Sequence, residues 1–420
     1  MSPPRPRLAG LLLLAFAFAA AAHADPRGSG WVATWSTASK TATIFDRSLP
    51  TLNDVTLRQI ARVSLGGPRV RVWLTNEFGT QPLRVDAATV ALRASGGSVV
   101  AESLRPLTFG GAAAVNIAPG ARVVSDPVRL RVPDRGDVAI SVHLPDDVTG
   151  SGSPVTYHVR ALQTNYLASG DQTAATHLSA AYTETSWFFL AGVDVLAAPG
   201  AWGVAALGDS ITDGDQVGFP NEPVDLNARY TDFLAERLLG TRRAGVMNEG
   251  ISGNQVTRTF LGENLQARLD RDVLARTGVT HVIVTAGIND IGLPGLLTVI
   301  GIPTPPVATA DLVAGLQQVA ARARARGLVV IGGTLSPSGS SQLPGYSGAA
   351  AESARQAVNA WIRMSGAFDA VVDFDAVLRD SANPTVMRAS LTADGLHPNS
   401  EGYRRMAEAA FAVLIGAEVP

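Results

Sequence analysis

The sequence predicts an α/β fold, a parallel β-sheet with helices on both faces, preceded by an antiparallel β-sandwich. In the first half, short β-branched runs are separated by Gly, Pro, Asp and Asn. In the second half, short apolar runs alternate with longer helical patterns. Short strands with turn signals are typical of a sandwich, and the strand-helix-strand rhythm is typical of a parallel sheet covered by helices.

Residues 1–24 have the parts of a secretory signal peptide. Arg5 and Arg7 precede the apolar run 8–22, and Ala22-His23-Ala24 offers a cleavage site of small residues. The apolar run is shorter than the ~20 residues that a membrane-spanning helix needs. We therefore predict a secreted or periplasmic protein without stable membrane insertion.

Residues 25–196 are predicted to form the sandwich domain. Run 69–74 alternates polar and apolar residues, which suits a strand with one buried and one wet face. Strands are predicted at 55–63, 69–74, 89–94, 128–132 and 138–144. The tryptophans of this half have two possible roles, stacking on sugars or packing in the core and between domains. They are Trp31, Trp35, Trp73 and Trp187.

Residues 197–201 are predicted to be a linker, because Ala-Ala-Pro-Gly interrupts the pattern, and residues 202–420 to be the α/β domain. Strands are predicted at 203–207, 281–286, 328–334 and 370–374, and helices at 228–239, 267–276, 309–326, 349–365 and 400–415. The stretch 291–307 is apolar but contains several prolines and glycines. It is predicted to be a long connection.

Composition excludes several classes of function. The 420 residues contain no cysteine, which rules out disulfides, a catalytic thiol and thiolate metal sites. The formal net charge of −2 gives no reason to expect nucleic-acid binding. The six histidines are scattered, so no metal site is predicted, and the oligomeric state is left open.

The first candidate for chemistry is Ser210, in Gly208-Asp209-Ser210 directly after the apolar run 202–207. In open α/β sheets, ligands bind beyond the carboxyl ends of the strands. A serine placed there can offer its hydroxyl and its backbone N–H to a bound carbonyl. Gly-Asp-Ser alone is equally compatible with a simple turn.

Three further motifs follow in order: Gly250-Ile251-Ser252-Gly253-Asn254, Ala286-Gly287-Ile288-Asn289-Asp290 and Asp394-Gly395-Leu396-His397-Pro398. With Gly-Asp-Ser, they resemble the four conserved blocks of the SGNH (GDSL-type) hydrolases, over roughly the last half of the chain. The resemblance implies a flavodoxin-like parallel sheet and no cofactor or metal. It implies Ser210 as nucleophile, His397 and Asp394 as its triad partners, and Ser210, Gly253 and Asn289 as the oxyanion hole.

The residue types also make chemical sense without the resemblance. A serine hydroxyl is a poor nucleophile at neutral pH and needs a base that is held in one tautomer. Among the six histidines, His397 alone has a carboxylate three residues before it, Asp394. Asp373 and Asp375, at the end of the last predicted strand, are rival candidates for the triad acid.

We therefore predict a serine esterase that forms an acyl-enzyme from an ester substrate, either a small molecule or an acetylated glycan. Carbohydrate deacetylation, cleavage of short-chain lipid or aryl esters, and acyl transfer to a sugar hydroxyl remain alternatives. So does a non-catalytic glycan-binding protein. Because all matched residues follow the linker, residues 202–420 are predicted to be the SGNH hydrolase catalytic domain, with the chemistry wholly in this second half. The sandwich would then pack against that half or recruit a polymer. The stretch 291–307 follows the Asn289 motif and would be either an acyl-binding wall or lid or a loop packed on the sandwich.

Overall fold

The computed structural model describes residues 30–46, 48–217 and 222–416. The predicted signal peptide lies outside these residues. Among these described residues, the first half contains sixteen short strands and one 3₁₀ turn, Ala101–Ser103. The strands are β1 (Trp31–Ser36), β2 (Val55–Arg62), β3 (Gly67–Thr75), β4 (Leu83–Val85), β5 (Ala87–Ser95), β6 (Ser98–Val99), β7 (Arg105–Pro106), β8 (Val115–Ile117), β9 (Arg122–Val124), β10 (Val128–Val132), β11 (Asp137–Leu144), β12 (Tyr157–His158), β13 (Asn165–Ser169), β14 (Tyr182–Glu184), β15 (Trp187–Phe188) and β16 (Leu190–Leu196).

Two antiparallel sheets of these strands form the predicted sandwich. One sheet has the order β1-β16-β3-β10, with β9 also paired to β3. The other has the order β14-β13-β2-β11-β5-β6, with β7 also paired to β5. Alternate residues of β3, Val70, Val72 and Leu74, are fully buried in the core between the sheets. The alternation read from 69–74 therefore placed one face of this strand correctly.

The four tryptophans of the first half contact other side chains of the sandwich. Trp35 and Trp187 are buried and meet edge to face, with ring centroids 4.9 Å apart. Trp73 donates its indole N–H to Asp194, and Arg71 lies over the ring of Trp31. The structure thus favours packing over sugar stacking as the role of these side chains.

The second half forms a five-stranded parallel sheet. Its strands are β17 (Trp202–Gly208), β18 (Ala244–Gly250), β19 (Val279–Thr285), β20 (Val329–Gly333) and β21 (Ala370–Val372). Their order is β18-β17-β19-β20-β21, which is the flavodoxin-like order. From β17 the chain continues to β18 on one side of the sheet, and the later strands β19, β20 and β21 are added on the other side. A crevice therefore opens beyond the carboxyl ends of β17 and β19, where the direction of winding changes.

Helices cover both faces of the sheet. They are α1 (Ser210–Asp213), α2 (Tyr230–Leu239), α3 (Leu265–Leu269) continued by a π-helical turn (Asp270–Leu274), α4 (Ile288–Val299), α5 (Thr309–Arg324), α6 (Ala349–Met364), α7 (Phe374–Leu378), a 3₁₀ turn (Ala389–Leu391) and α8 (Ser400–Gly416). Along β17, Val204 and Ala206 pack with α2 and α8, whereas Ala205 and Leu207 pack with α3 and α5. Successive side chains of a strand point to opposite faces, so an unbroken apolar run fills two cores at once.

Several elements of the second half differ from the sequence prediction. Strand β18 was not predicted, because its end is polar: Asn248 binds the Thr212 carbonyl, and buried Glu249 pairs with Arg276. Helix α4 occupies the start of the predicted connection 291–307, although it contains Pro294. Helix α7 was also missed, because it has only five residues.

Helix α4 forms despite its glycines because of what lies beside them. A Cβ on Gly292 would lie 2.3 Å from the ring of Tyr346, and one on Gly295 would lie 2.6 Å from Gly345. Glycine therefore permits close packing against the segment around Tyr346, and this tertiary contact outweighs poor helix propensity. The proposed role of 291–307 as an acyl-binding wall or lid stays a prediction.

The sandwich and the catalytic domain share a polar interface. Ala33 of β1 donates its N–H to the Thr277 carbonyl, and Ser36 donates to Glu249. The guanidinium of Arg276, which is buried, donates to the carbonyls of Ala191 and Thr37. Buried charges of the catalytic domain are thus satisfied in part by the sandwich, which covers the β18 side of the parallel sheet.

The division of the chain at 197–201 stays a prediction, although β16 and β17 lie on either side of it in different sheets. In the part of the chain that the structure describes, no helix is long and apolar enough to cross a membrane.

Candidate active site

Ser210 lies at the carboxyl end of β17, at the crevice. It is the first residue of α1, and Asp209 caps this helix by accepting the Ile211 N–H at 3.1 Å. The short helix ends at Gly214, which has φ +110° and so turns the chain away. This tight strand-turn-helix unit holds Ser210 in place, and its side chain is almost wholly buried.

Ser210, His397 and Asp394 form one chain of hydrogen bonds. Ser210 Oγ lies 2.9 Å from His397 Nε2, and His397 Nδ1 lies 2.6 Å from Asp394 Oδ2. The other oxygen of Asp394 accepts the backbone N–H groups of Leu396 and His397, at 2.9 and 2.8 Å. One carboxylate thus orients the ring and shapes the loop that carries it.

Neighbouring charges and hydrogen bonds shift the pKa values of His397 and Asp394. Burial lowers the pKa of His397, but the hydrogen bond that the ring donates to Asp394 and the charges of Asp215, Asp394 and Glu222 outweigh burial and raise the pKa above its ordinary value. Burial raises the pKa of Asp394, but its hydrogen bonds and the charge of His397 bring the pKa down to about 2. Asp394 is therefore a carboxylate at neutral pH, as the orienting partner of a histidine must be.

The rival acids do not contact His397. Asp373 caps α7 through the Ala376 N–H and pairs with Arg363. Asp375 is buried and pairs with the guanidinium groups of Arg355, Arg363 and Arg379. Both carboxylates stabilise the end of the sheet, and Asp394 is the one beside the histidine.

Asn289 lies at the start of α4, directly beyond β19. Its Nδ2 donates to the Asn254 carbonyl at 3.0 Å, and its Oδ1 accepts from the hydroxyl of Tyr346 at 2.6 Å. These two contacts fix which end of the amide is nitrogen. The second N–H of the same nitrogen is available for a ligand.

Gly253 lies in the loop after β18, beside Asn254. It has φ +76°, and a Cβ would lie 2.2 Å from Leu261 Cδ1. Glycine is therefore required by the backbone conformation and by the packing of Leu261. Asp290 holds the rest of this loop by accepting the N–H groups of Val256 and Thr257.

Arg268 connects the carboxyl ends of β17 and β18 by hydrogen bonds. This buried guanidinium donates to the Gly208 carbonyl at 2.7 Å, to the Glu249 carbonyl at 2.8 Å and to Asn254 Oδ1 at 3.0 Å. The structure therefore brings all five predicted site residues to one edge of the sheet, Ser210, His397 and Asp394 by direct contact and Gly253 and Asn289 through Asn254.

Sequence reasoning missed two residues that hold the site together, Tyr346 and Arg268. Tyr346 is 57 residues from Asn289, and Arg268 is 60 residues from Gly208. No local pattern reports contacts over such separations. Within residues 30–46, 48–217 and 222–416, no group of three or more His, Cys, Asp or Glu side chains is arranged to hold a metal ion.

Several solved structures resemble the second half of the chain. A catalytic mutant of Axe2, an acetylxylan esterase from Geobacillus stearothermophilus, is 23% identical with a TM-score of 0.38, over 52% of this chain and 95% of that one. Est24, a carbohydrate acetylesterase from Sinorhizobium meliloti, is 16% identical with a TM-score of 0.39, over 51% and 99%. LAE5, an alpha/beta hydrolase from the metagenome of Lake Arreo in Spain, is 22% identical with a TM-score of 0.38, over 50% and 94%. These sequence identities and TM-scores are too low for the activity of any of the three proteins to be assigned to this chain.

No curated protein matches the chain. The model of the GDSL-like lipase/acylhydrolase family matches residues 206–405, which include all four motifs and the crevice. The flavodoxin-like strand order agrees with this match. The chain therefore carries, over residues 206–405, a domain of the GDSL-like lipase/acylhydrolase family, the SGNH hydrolases.

Proposed function

We propose that this protein is a serine esterase that hydrolyses carboxylic esters through an acyl-enzyme. The observation that carries the proposal is the unbroken hydrogen-bonded chain from Ser210 Oγ through the ring of His397 to Asp394. A serine, a histidine and a carboxylate in this order are the parts of a nucleophile activated by an oriented base.

In the first half-reaction, Ser210 Oγ attacks the ester carbonyl while His397 Nε2 takes the serine proton. The tetrahedral intermediate collapses, His397 returns the proton to the departing alcohol, and the acyl group stays on Ser210. In the second half-reaction, a water attacks the acyl-enzyme by the same proton transfers and releases the acid. Asp394 accepts from Nδ1 throughout, so Nε2 is free to exchange the proton.

The negative charge of each tetrahedral intermediate needs donors that are already in place. The N–H groups of Ser210 and Gly253 and the second N–H of Asn289 Nδ2 would supply them. Loss of one such donor typically costs about 10²–10³ in kcat. The buried, pre-oriented amide of Asn289 supports this role, because its nitrogen is already turned away from Tyr346.

Replacement of the nucleophile tests the proposal. Ser210→Ala should abolish ester hydrolysis and leave the melting temperature close to that of the wild type, because a hydroxyl at this position contributes little to the core. Ser347→Ala, at an exposed serine, is the matched control and should keep full activity. A serine-directed phosphonate should label Ser210 in the wild type, as mass spectrometry of the peptides would show. Wild-type turnover by folded Ser210→Ala protein would refute the proposal.

The acyl group and the alcohol that the enzyme prefers can be read from one panel. Chromogenic esters of increasing acyl length would be compared with acetylated xylan and other acetylated glycans. Activity confined to acetyl groups on glycans would make the enzyme a carbohydrate deacetylase, whereas a preference for longer acyl chains would make it a short-chain lipase or arylesterase. Sugar acetylation in the presence of an acyl donor would identify a transferase.

We also propose that the protein is exported, on the basis of the charged start, apolar run and small-residue site in residues 1–24. Expression in a bacterial host should yield a protein that begins at Asp25 in the periplasm or the medium. An uncleaved protein that stays in the cytoplasm would contradict this.

A further inference from the structure

Asp213 and Asp215, which follow Ser210 in the chain, both accept hydrogen bonds from Ser252, the residue before Gly253. Asp213, at the end of α1, accepts the backbone N–H of Ser252 on Oδ2 at 3.2 Å. Asp215 accepts the hydroxyl of Ser252 on Oδ2 at 2.7 Å. The helix that begins with Ser210 is thus joined to the loop of Gly253 by both polar groups of Ser252.

Each of these carboxylates is also contacted by the sandwich. His158 Nε2 lies 3.1 Å from Asp213 Oδ1, and the guanidinium of Arg160 lies 3.3 Å from Asp215 Oδ2. His158 is buried at the end of β12, and its other ring nitrogen lies 2.8 Å from the Ala38 carbonyl. Two residues of one short segment of the sandwich therefore contact the two carboxylates that hold Ser252.

These contacts matter because the carboxylates are almost wholly removed from water. The exposed fraction of both Asp213 and Asp215 is 2%. Burial raises the pKa of Asp213, but the charges and hydrogen bonds of its partners, His158 first among them, outweigh burial and lower it. A buried carboxylate that loses its cationic partner either takes up a proton or moves, and either change would weaken its hold on Ser252.

The backbone that presents Arg160 is strained. Arg160 has φ +56°, and Leu162 has φ +50°, a region that residues other than glycine rarely adopt. Such a conformation is unfavourable for these residues and persists only where the surrounding structure determines it. The contact with Asp215 is one such determinant, so this segment is shaped to meet the catalytic domain at the carboxylates beside Ser210.

We propose that His158 and Arg160 of the sandwich are positioning residues for the oxyanion hole, acting through Asp213, Asp215 and Ser252. The proposal rests on the esterase function proposed above. It is an alternative to the expectation that the chemistry lies wholly in the second half, which stays a prediction. The bound ester carries no oxyanion, and the negative charge develops only as the tetrahedral intermediate forms. A displaced Gly253 loop therefore lowers kcat and leaves KM nearly unchanged.

The test uses the full chain and a small soluble ester that is too short to touch a distant part of the sandwich. Arg160→Gln and Ser252→Ala should each lower kcat on the order of 10-fold, with KM within about two-fold of the wild type. The kcat of the double variant should fall little below that of the worse single variant, because the two changes break the same connection.

Arg243→Gln is the matched control. It removes an exposed ion pair between the domains, to Asp134, far along the interface from Ser252, and should keep kcat within about two-fold.

Three results would overturn the proposal: wild-type kcat in Arg160→Gln, losses that multiply in the double variant, or an equal loss in Arg243→Gln. If Arg160→Gln does not fold, as its melting curve would show, His158→Gln decides the question through the Asp213 contact. An unchanged kcat in that variant overturns the proposal, and a kcat loss at constant KM supports it.

Failure of this inference is distinguishable from failure of the esterase function. Phosphonate labelling of Ser210 in the wild type reports on the esterase function alone. A wild type that is labelled and turns over ester, beside Arg160→Gln with the same kcat, refutes only the positioning role. A wild type without labelling or turnover refutes the esterase function.

Discussion

Substitution of Asp394 by Asn should remove catalysis while keeping the loop intact. Asp394 Oδ1 accepts two backbone N–H groups, from Leu396 and His397, and the carbonyl oxygen of an asparagine can keep both bonds. The amide nitrogen must then face His397 Nδ1, where Oδ2 lies at 2.6 Å. Since that nitrogen donates, Nδ1 must accept, and the ring proton moves to Nε2. A ring with its proton on Nε2 cannot take the proton of Ser210.

The size of the loss follows from that change of tautomer. An asparagine in the place of a triad carboxylate lowers kcat about 10⁴-fold, which corresponds to about 5 kcal/mol of activation free energy. We expect this loss for Asp394→Asn, measured with a chromogenic ester at pH 8, and a similar fall in the rate of phosphonate labelling. The melting temperature should change little, because both backbone hydrogen bonds are kept.

Asp373→Asn is the matched control, because Asp373 is the rival acid and the same chemical change is made. Asparagine caps a helix as well as aspartate does, so the cap on α7 should survive. The lost ion pair with Arg363 is partly exposed and worth about 1 kcal/mol or less, or roughly 2–4 °C in melting temperature. The control should therefore lose stability and keep its kcat.

The reasoning would be refuted if Asp394→Asn kept its kcat within about ten-fold of the wild type, since loss of the carboxylate that orients the base should lower kcat far more. A larger kcat loss in Asp373→Asn than in Asp394→Asn would assign the acid role to Asp373. Circular dichroism of both variants would show whether a loss reflects chemistry or unfolding.

Three further predictions concern the base, the oxyanion hole and the sandwich. Because the pKa of His397 is raised and only the neutral ring can accept a proton, the acidic limb of kcat/KM against pH should lie above about pH 6.5, and Asp215→Asn should move it to lower pH. A limb at or below that value in the wild type would contradict the charge assignment. Tyr346→Phe frees the amide of Asn289 to rotate and should lower kcat on the order of 10-fold, whereas Asn289→Ala should lower it about 100-fold or more. Equal activity of Tyr346→Phe and the wild type would remove Tyr346 from the positioning role. The segment 199–420 alone should be poorly soluble and inactive on a small ester, because it loses the sandwich cover and the contacts to its buried charges. A soluble segment with full kcat would show that the catalytic domain is autonomous.

The sequence by itself determined the fold class and supplied the candidate catalytic residues. Short apolar runs within β17, β19 and β20 indicated buried parallel strands, because such strands bury both faces. The polar motifs after β17 and β19 marked the crevice, because parallel strands end at one edge of the sheet. His397 and Asp394 lie three residues apart, so their pairing was local and could be read directly. The assignment of Asp394 over Asp373 still needed the coordinates.

Only the tertiary structure decided which groups support that chemistry. Strand β18 ends in Asn248 and Glu249, which look like surface residues until their partners in other elements are known. Helix α4 forms against its own propensity because Tyr346 packs on it. The contacts of His158 and Arg160 with the carboxylates after Ser210 cross the interface between two domains. Burial turns these distant charges into determinants of the site, and burial is a property of the folded chain that no local pattern encodes.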